Sequence, residues 1–430
     1  MKSLESYTCH TEHSEVSCNT ESSLDLPLES LSLQPFLQSL HKEQWQEVRL
    51  GEVAEITSSK RIFYSEYVEY GIPFYRSKEI IEFSKGNNPQ NELFIDENKY
   101  NDIANKFGVP QANDILLTSV GTLGIPYLVP KDKKFYFKDG NLTWFKNFKN
   151  ITSLFLFYWF KSPQGKEKLD SIAIGSTQQA LTIQGMKNLI FLLPPLTIQQ
   201  KIAEILSSFD DKIDLLHRQN KTLESLALTL FRHYFIDNPK RDEWEEKPLS
   251  EVCQIKNGFA FKSEEYKKIG IPVVRTTNFK NGFVENHNLV YLDENDKNKY
   301  SKYLLQVNDF LLVMVGASLG KYAIVTSEIL PALQNQNMWN FRVLGSVSQY
   351  YLNYAMQEII ANNINTASGS AREFFQKSYF YKIPILIPPK NIMMKFHTQM
   401  DNFYHKTTNN RKQIQNLQAM RDMLLKAIFA

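Results

Sequence analysis

Several residues of this chain could do chemistry by type, but none stands at the spacing that chemistry needs. A phosphate-binding loop has its nearest echo in Gly316-Ala317-Ser318-Leu319-Gly320-Lys321. The glycines there are too close together, and the string runs on into apolar residues. No glycine-rich dinucleotide fingerprint follows a strand-like run. Asn238-Pro239-Lys240 lacks the second proline and the aromatic residue of an amino-methyltransferase motif. His41, His217, His233, His287, His397 and His405 have no metal-ligand spacing to the cysteines. Cys9, Cys18 and Cys253 form neither a disulfide framework nor a zinc set, and an odd number suits a reducing compartment. Asp210-Asp211 and Asp293-Glu294 are adjacent pairs, which normally sit solvated on a helix or turn. The expectation is a non-catalytic chain with no metal and no cofactor of its own.

What such a chain positions is set by its elements. From Pro194 to Phe235 the sequence predicts one long helix. Apolar residues recur at Ile202, Ile205, Leu206, Phe209, Ile213, Leu216, Leu223, Leu226, Leu230 and Tyr234, steps of three and four that make a coiled-coil seam. Pro194-Pro195 precedes the pattern, and Asn238-Pro239 closes it. At ~1.5 Å per residue such a helix spans on the order of 60 Å, longer than a compact domain requires.

The rest is written twice. Trp45, Leu50, Val53, Ile56 and Tyr67 match Trp244, Leu249, Val252, Ile255 and Tyr266 at one constant interval. Gly71-Ile72-Pro73 with Arg76 matches Gly270-Ile271-Pro272 with Arg275 at the same interval. Asn113-Asp114 then matches Asn308-Asp309 at a slightly shorter interval, and Gly175-Ser176 and Pro194-Pro195 match Gly369-Ser370 and Pro388-Pro389 at one shorter still, deletions that surface loops absorb. A second seam follows at Phe396, Phe403, Leu417 and Leu424, with a polar middle at Thr407, Thr408, Asn409 and Asn410.

The fold class expected is α+β, with two pseudo-repeated globular domains separated by two long antiparallel coiled-coil helices. The divisions fall at 1–40 (polar, partly disordered), 41–193 (first domain), 194–237 (first long helix), 238–387 (second domain) and 388–430 (second long helix). Short β-rich runs are expected at 68–76, 114–120, 124–129 and 189–193, and a helix over 154–171. The Leu-rich stretch from Leu24 to Leu33 could be either strand or helix. Two similar heads on a long spacer suit either a reader of two DNA half-sites or a two-headed protein-binding scaffold.

With 430 residues, 43% hydrophobic and 13% aromatic, there is ample material for packed cores. Forty-nine basic residues against 46 acidic leave only +3, too little to coat DNA by charge alone. The longest apolar run, 154–160, is far short of a membrane span. The N-terminal stretch is acidic and Ser-rich rather than signal-like, so a cytoplasmic protein is expected.

The run that begins PPLTIQQKIAEILSSFDDKIDLL and ends LTLFRHYF resembles the central conserved region of the specificity subunits of type I restriction-modification systems. The shared order is Pro-Pro, a Gln-rich step, Ile-Ala-x-x-Leu, an Asp with Ile three later, and Leu-Phe-x-x-x-Phe. The Trp-x-x-x-x-Leu-x-x-Val starts, the Gly-Ile-Pro-x-x-Arg strands and the Gly-Ser loops are similar to that family's target recognition domains. The second helix matches less well and carries Met393-Met394 where the first has Gln199-Gln200.

The resemblance implies that each domain reads one half of a bipartite site on double-stranded DNA, while the helices set the spacer. It also implies two methyltransferase subunits as partners, and restriction/translocase subunits that can join them. S-adenosylmethionine, ATP and Mg would belong to those partners, and no membrane is involved. The modest charge is then shared out among the subunits. Candidate DNA contacts lie in loops that mix cationic, amide and hydroxyl side chains, which suit phosphates and base edges. In the first domain these are Lys60, Arg61, Arg76, Lys78, Thr118, Ser119, Thr122, Ser176, Thr177, Gln178 and Gln179. In the second they are Lys256, Phe259, Lys262, Arg275, Thr276, Asn278, Gln334, Asn335, Gln336, Asn337, Ser370 and Arg372. Arg76 and Arg275 stand out because they recur at the end of matching strands.

Overall fold

The computed structural model describes residues 34–87, 89, 93–363 and 375–430. The Leu-rich stretch from Leu24 to Leu33 lies outside them. The chain forms two compact units. One, here the first unit, runs through Leu215 and takes up the chain again from Ile414 to Ala430; the second comprises Leu216–Gln413. Each unit therefore owns one globular domain and part of both long helices.

In the first unit, strands β1 (Gln46–Arg49), β2 (Glu55–Thr57), β3 (Tyr67–Val68), β4 (Ile72–Tyr75) and β5 (Phe94–Ile95) are followed by β6 (Ile115–Thr118), β7 (Pro126–Leu128), β8 (Tyr136–Phe137), β9 (Leu142–Lys146) and β10 (Ile190–Leu193). They make a sheet in the order β2-β9-β6-β7, a second in the order β3-β5-β4-β8, and an antiparallel pair β1-β10. Strand β6 is buried along its whole length, as its unbroken Ile-Leu-Leu run requires. The repeated Gly-Ile-Pro has a backbone cause. Gly71 has φ +154°, and a Cβ there would lie 2.4 Å from the Ile95 carbonyl oxygen; Gly270 has φ +137° and would meet Leu292 O at 2.0 Å.

The helix expected over 154–171 is two helices, Ser153–Lys161 and Pro163–Ser171. Ser162 separates them: its Oγ accepts from Gly165 N at 3.0 Å, and Pro163 takes the first turn of the second helix. Phe155, Trp159 and Phe160 of the first helix are fully buried.

The second unit repeats the plan with β11 (Glu245–Pro248), β12 (Cys253–Asn257), β13 (Ile271–Val274), β14 (Phe279–Lys280), β15 (Phe283–Val284) and β16 (Val290–Leu292). Then come β17 (Phe310–Val313), β18 (Tyr322–Ile324), β19 (Leu333–Gln334), β20 (Met338–Val343) and β21 (Pro384–Ile387). The sheets run β12-β20-β17-β18-β15-β14 and β16-β13-β19, with β11 paired to β21. The repeated Asn-Asp is a turn device. Asn113 and Asn308 are left-handed (φ 70° and 67°), and Asp114 and Asp309 accept from Gln111 N and Gln306 N at 2.9 and 2.8 Å.

The first long helix spans Leu196–Phe231 and ends in a wide π-type turn, Arg232–Ile236. The second spans Lys390–Phe429. They pack antiparallel in each unit. In the first unit Ile202 and Leu206 share a core with Leu424, Leu425, Ile428 and Phe429. In the second, Ala227, Phe231 and Phe235 share one with Met393, Phe396 and Met400.

Ile202, Ile213, Leu216, Phe396 and Leu424 are buried, while Phe209, Leu223, Leu230, Phe403 and Leu417 are partly so. Leu226 is a correction: it is exposed, and Ala227 lies inward in its place. Counting 4-3-4 onward from Leu216 lands on Asn220, Leu223 and Ala227, so a seam with no step missing excludes 226.

Candidate nucleic-acid interface

The antiparallel order β2-β9-β6-β7 brings four chain segments to one sheet edge: the exits of β2 and β6 and the entries of β9 and β7. The exit of β4, parallel to β8, joins them. Hydrogen bonds tie these loops into a continuous strip. Lys60 N donates to Tyr136 Oη at 2.7 Å, and Arg61 Nε to Asp139 Oδ2 at 2.9 Å. Asn141 O accepts from Ser77 Oγ at 3.2 Å and from Ser119 N at 2.9 Å. Gly121 N donates to Gln179 O at 3.3 Å. The sequence candidates of the first domain therefore converge, although they come from four separate stretches.

They do not all face outward. Lys60, Arg61, Lys78, Thr122, Ser176, Thr177, Gln178 and Gln179 are exposed. Thr118 and Ser119 are buried, with their hydroxyls engaged inside: Thr118 Oγ1 accepts from Ile125 N at 2.9 Å, and Ser119 Oγ lies 2.7 Å from Thr143 Oγ1. Arg76 is ion-paired to the buried Glu79, Nη2 to Oε1 at 2.7 Å. Its positive charge is largely compensated within the domain.

The second unit assembles the same edge from the exits of β12, β13, β17 and β19 and the entry of β20. Phe259 N donates to Gln334 O at 3.0 Å, Gln336 N to Phe259 O at 2.9 Å, and Asn335 N to Val274 O at 3.1 Å. Gly258 makes this closeness possible, since a Cβ there would overlap Asn335 O at 1.9 Å. Lys262, Gln336 and Asn337 are exposed; Lys256, Arg275 and Thr276 are partly so.

Asn278, Gln334 and Asn335 are buried, and their amides serve the fold. Asn278 Oδ1 accepts from Arg275 N at 2.8 Å, Gln334 Nε2 donates to Met338 O at 3.0 Å, and Asn335 Nδ2 donates to Tyr266 Oη at 3.3 Å. The Phe259 ring packs about 5 Å from the Phe261, Tyr300 and Tyr303 rings, so it belongs to an aromatic core. Ser370 and Arg372 lie outside the described residues.

The two repeated arginines differ. Among the described residues Arg275 carries no carboxylate partner like Glu79, because Asn278 occupies that place. Its Nη2 donates to Asn288 O at 2.8 Å, and its buried Nε has no hydrogen-bond partner. Burial lowers the Lys256 amine from its ordinary value, helped by the charge of Arg342. Arg342 is held by the buried Asp309, Nε to Oδ1 at 2.8 Å.

Two features escaped the sequence reading. Phe63 and Tyr64, in the loop that leaves the β2 edge, are 62% and 89% exposed. Aromatic residues beside Lys60-Arg61, in a stretch without apolar periodicity, were the available signal. Asn220 and Asn410 are the other feature. Both are buried at seam positions, and Asn410 Nδ2 donates to Asn220 Oδ1 at 2.9 Å. Counting heptads through the gap after Leu216 would have found the first.

Among the described residues no three His, Cys, Asp or Glu side chains could hold a metal, and no helix is long and apolar enough to cross a membrane. Cys253 is buried, which pushes its thiol up to about 12, away from a reactive thiolate.

Each unit joins one repeated α+β domain, with its polar loop edge, to segments of both long helices, the make-up of a binding protein. The model of the type I restriction modification DNA specificity domain matches residues 42–225 and again 241–419, so the chain belongs to the type I restriction-modification specificity subunits, with two target recognition domains. It is 26% identical over 416 residues to the type I restriction enzyme MjaIX specificity subunit of Methanocaldococcus jannaschii, covering 89% of this chain and 92% of that one. The MjaVIII specificity subunit of the same organism is 26% identical over 322 residues, 70% of this chain and 71% of that one. The crystal structure of the type I restriction-modification S subunit from M. genitalium shares the fold, with a TM-score of 0.56 at 19% identity, over 90% of this chain and 96% of that one. Subunits of this family are non-catalytic, and the cofactors of the complex belong to other subunits.

Proposed function

We propose that the two loop edges are the DNA-reading surfaces, one for each half of a bipartite target. The observation that carries this is the repetition of one edge on one backbone frame with different exposed side chains. Two methyltransferase subunits would flank the chain and restriction/translocase subunits would join them, supplying S-adenosylmethionine, ATP and Mg chemistry. The contacts are assigned to the exposed set, Lys60, Arg61, Lys78, Thr122 and Ser176 to Gln179 in the first unit and Lys262, Gln336 and Asn337 in the second, together with the partly exposed Arg275. Arg275 is the better guanine or phosphate ligand of the repeated pair, because Arg76 already has a carboxylate. The helices act as the spacer between the half-sites.

The test is reconstitution with the methyltransferase subunits, followed by sequencing of methylated adenines on a randomised DNA library. A motif with two specified blocks around an unspecified gap, and salt-sensitive binding, is expected. Equal modification or binding of all duplexes would sink this reading and favour a two-headed protein scaffold.

A further inference from the structure

The loop that leaves the reading edge has the same frame in both units and a different tip. In the first unit Glu66 Oε2 accepts from Phe63 N at 2.8 Å and fixes the short turn Tyr64–Glu66. In the second, Glu265 Oε2 accepts from Lys262 N at 3.1 Å and fixes Ser263–Glu265. Tyr67 and Tyr266 follow at matching places. On this shared frame the exposed pair is Phe63-Tyr64 in one unit and Lys262-Ser263 in the other.

Burying neither aromatic ring leaves a large apolar area in water beside Lys60 and the exposed Arg61, which Asp139 pairs on one side. Lys60 Nζ already stands 4.5 Å over the half-exposed ring of Phe107. Aromatic faces interleaved with cations are the surface that stacks on bases or presses into a base step while holding the backbone. A partner subunit bound once per repeat would want the same chemistry at both tips, and these differ. A reader of two unlike half-sites wants them different.

We propose that this turn is a specificity loop: Phe63 and Tyr64 contact a base step of the half-site read by the first unit, while Lys262 contacts a phosphate of the other. This rests on the DNA-reading assignment above. It adds an apolar mode of readout at one half-site, which the hydrogen-bonding and cationic candidates do not include, and gives Lys262 a phosphate at the other.

The experiment uses the full chain assembled with its methyltransferase subunits and the same randomised library. Phe63→Ala with Tyr64→Ala should relax one or two adjacent positions of a single half-site, with discrimination there falling roughly tenfold or more. The other half-site should be unchanged, and Phe63→Leu with Tyr64→Phe should keep the wild-type motif. Lys262→Ala should weaken binding uniformly across sequences, lower the salt slope by about one, and leave the motif intact.

An unaltered motif in the double alanine variant would overturn the proposal. So would an even loss over both half-sites, or failure to assemble with the methyltransferase, which would make the tip a protein contact. A changed motif in Lys262→Ala would overturn the phosphate assignment. A wild-type complex with no bipartite motif would instead mark failure of the reading on which the proposal rests.

Discussion

Asp210 stands in the first unit between Lys161, at 3.2 Å, and Arg421, at 2.7 Å, and accepts from Tyr158 Oη at 3.0 Å. Burial alone would raise its carboxyl; the charge of Lys161 and the bond from Arg421 outweigh that and hold it below the usual carboxylate range. A depressed folded pKa gives stability that is present above the unfolded value, about 4, and lost as pH falls through the folded one. Asp210→Asn should therefore flatten the acid limb of a stability–pH curve below about pH 4. At neutral pH it should cost about 2 kcal/mol, less than a fully buried pair because all three groups keep some exposure. Urea unfolding at several pH values reads both.

The buried asparagines behave differently. Asn410→Ala should cost about 1–3 kcal/mol, because Asn220 is left buried and unpaired. Replacing both by Leu should restore or exceed wild-type stability while weakening the register that the pair specifies. None of these side-chain partnerships was legible in the sequence. Asp210 looked like half of a solvated acidic pair, and Asn410 like part of a polar interruption, because what they meet lies far off in the sequence: Lys161 and Arg421 are 49 and 211 residues from Asp210, and Asn220 is 190 from Asn410.

Among the elements, the long helices were the most legible, since a 3-4 apolar step persists through noise. The edge strands β1 and β10 were half legible. Their pairing, Gln46 with Leu193 through Arg49 with Ile190, joins chain segments whose only shared mark is alternation. The split at Ser162 was hidden by an apolar run continuous enough to mask a proline and its cap. The buried candidates in the loops, Thr118, Ser119, Asn278, Gln334 and Asn335, show the limit of reading sites by residue type. Polar side chains that satisfy a sheet edge look the same in sequence as those offered to a ligand.

The helices themselves carry a prediction. An insertion of four residues near Asn220 lengthens the first helix by ~6 Å, close to two base steps. It should change the tolerated gap between the half-sites and leave both half-sites as they were, as read by methylated-adenine sequencing. An altered half-site would count against the helices as the spacer.

On the scale of the whole molecule, the doubling was visible from Trp45 and Trp244 onward. The sharing of helices between the repeats was only anticipated in outline. Neither globular domain closes its core with its own following helix alone. The aromatic floor of the first, Phe155 with Trp159, is completed by Leu424, Leu425, Ile428 and Phe429. Fully burying each such side chain contributes about 1.5–3 kcal/mol.

That arrangement has a consequence in time. A ribosome adding ~5–20 residues per second makes the first domain roughly ten to forty seconds before it makes the segment that covers its floor. During that interval the nascent domain presents an open apolar notch to the cell, and its folding cannot follow the order of synthesis. Arrested chains ending at Gln413 should be cleaved by protease within 153–171, and chains carried through Phe429 should resist.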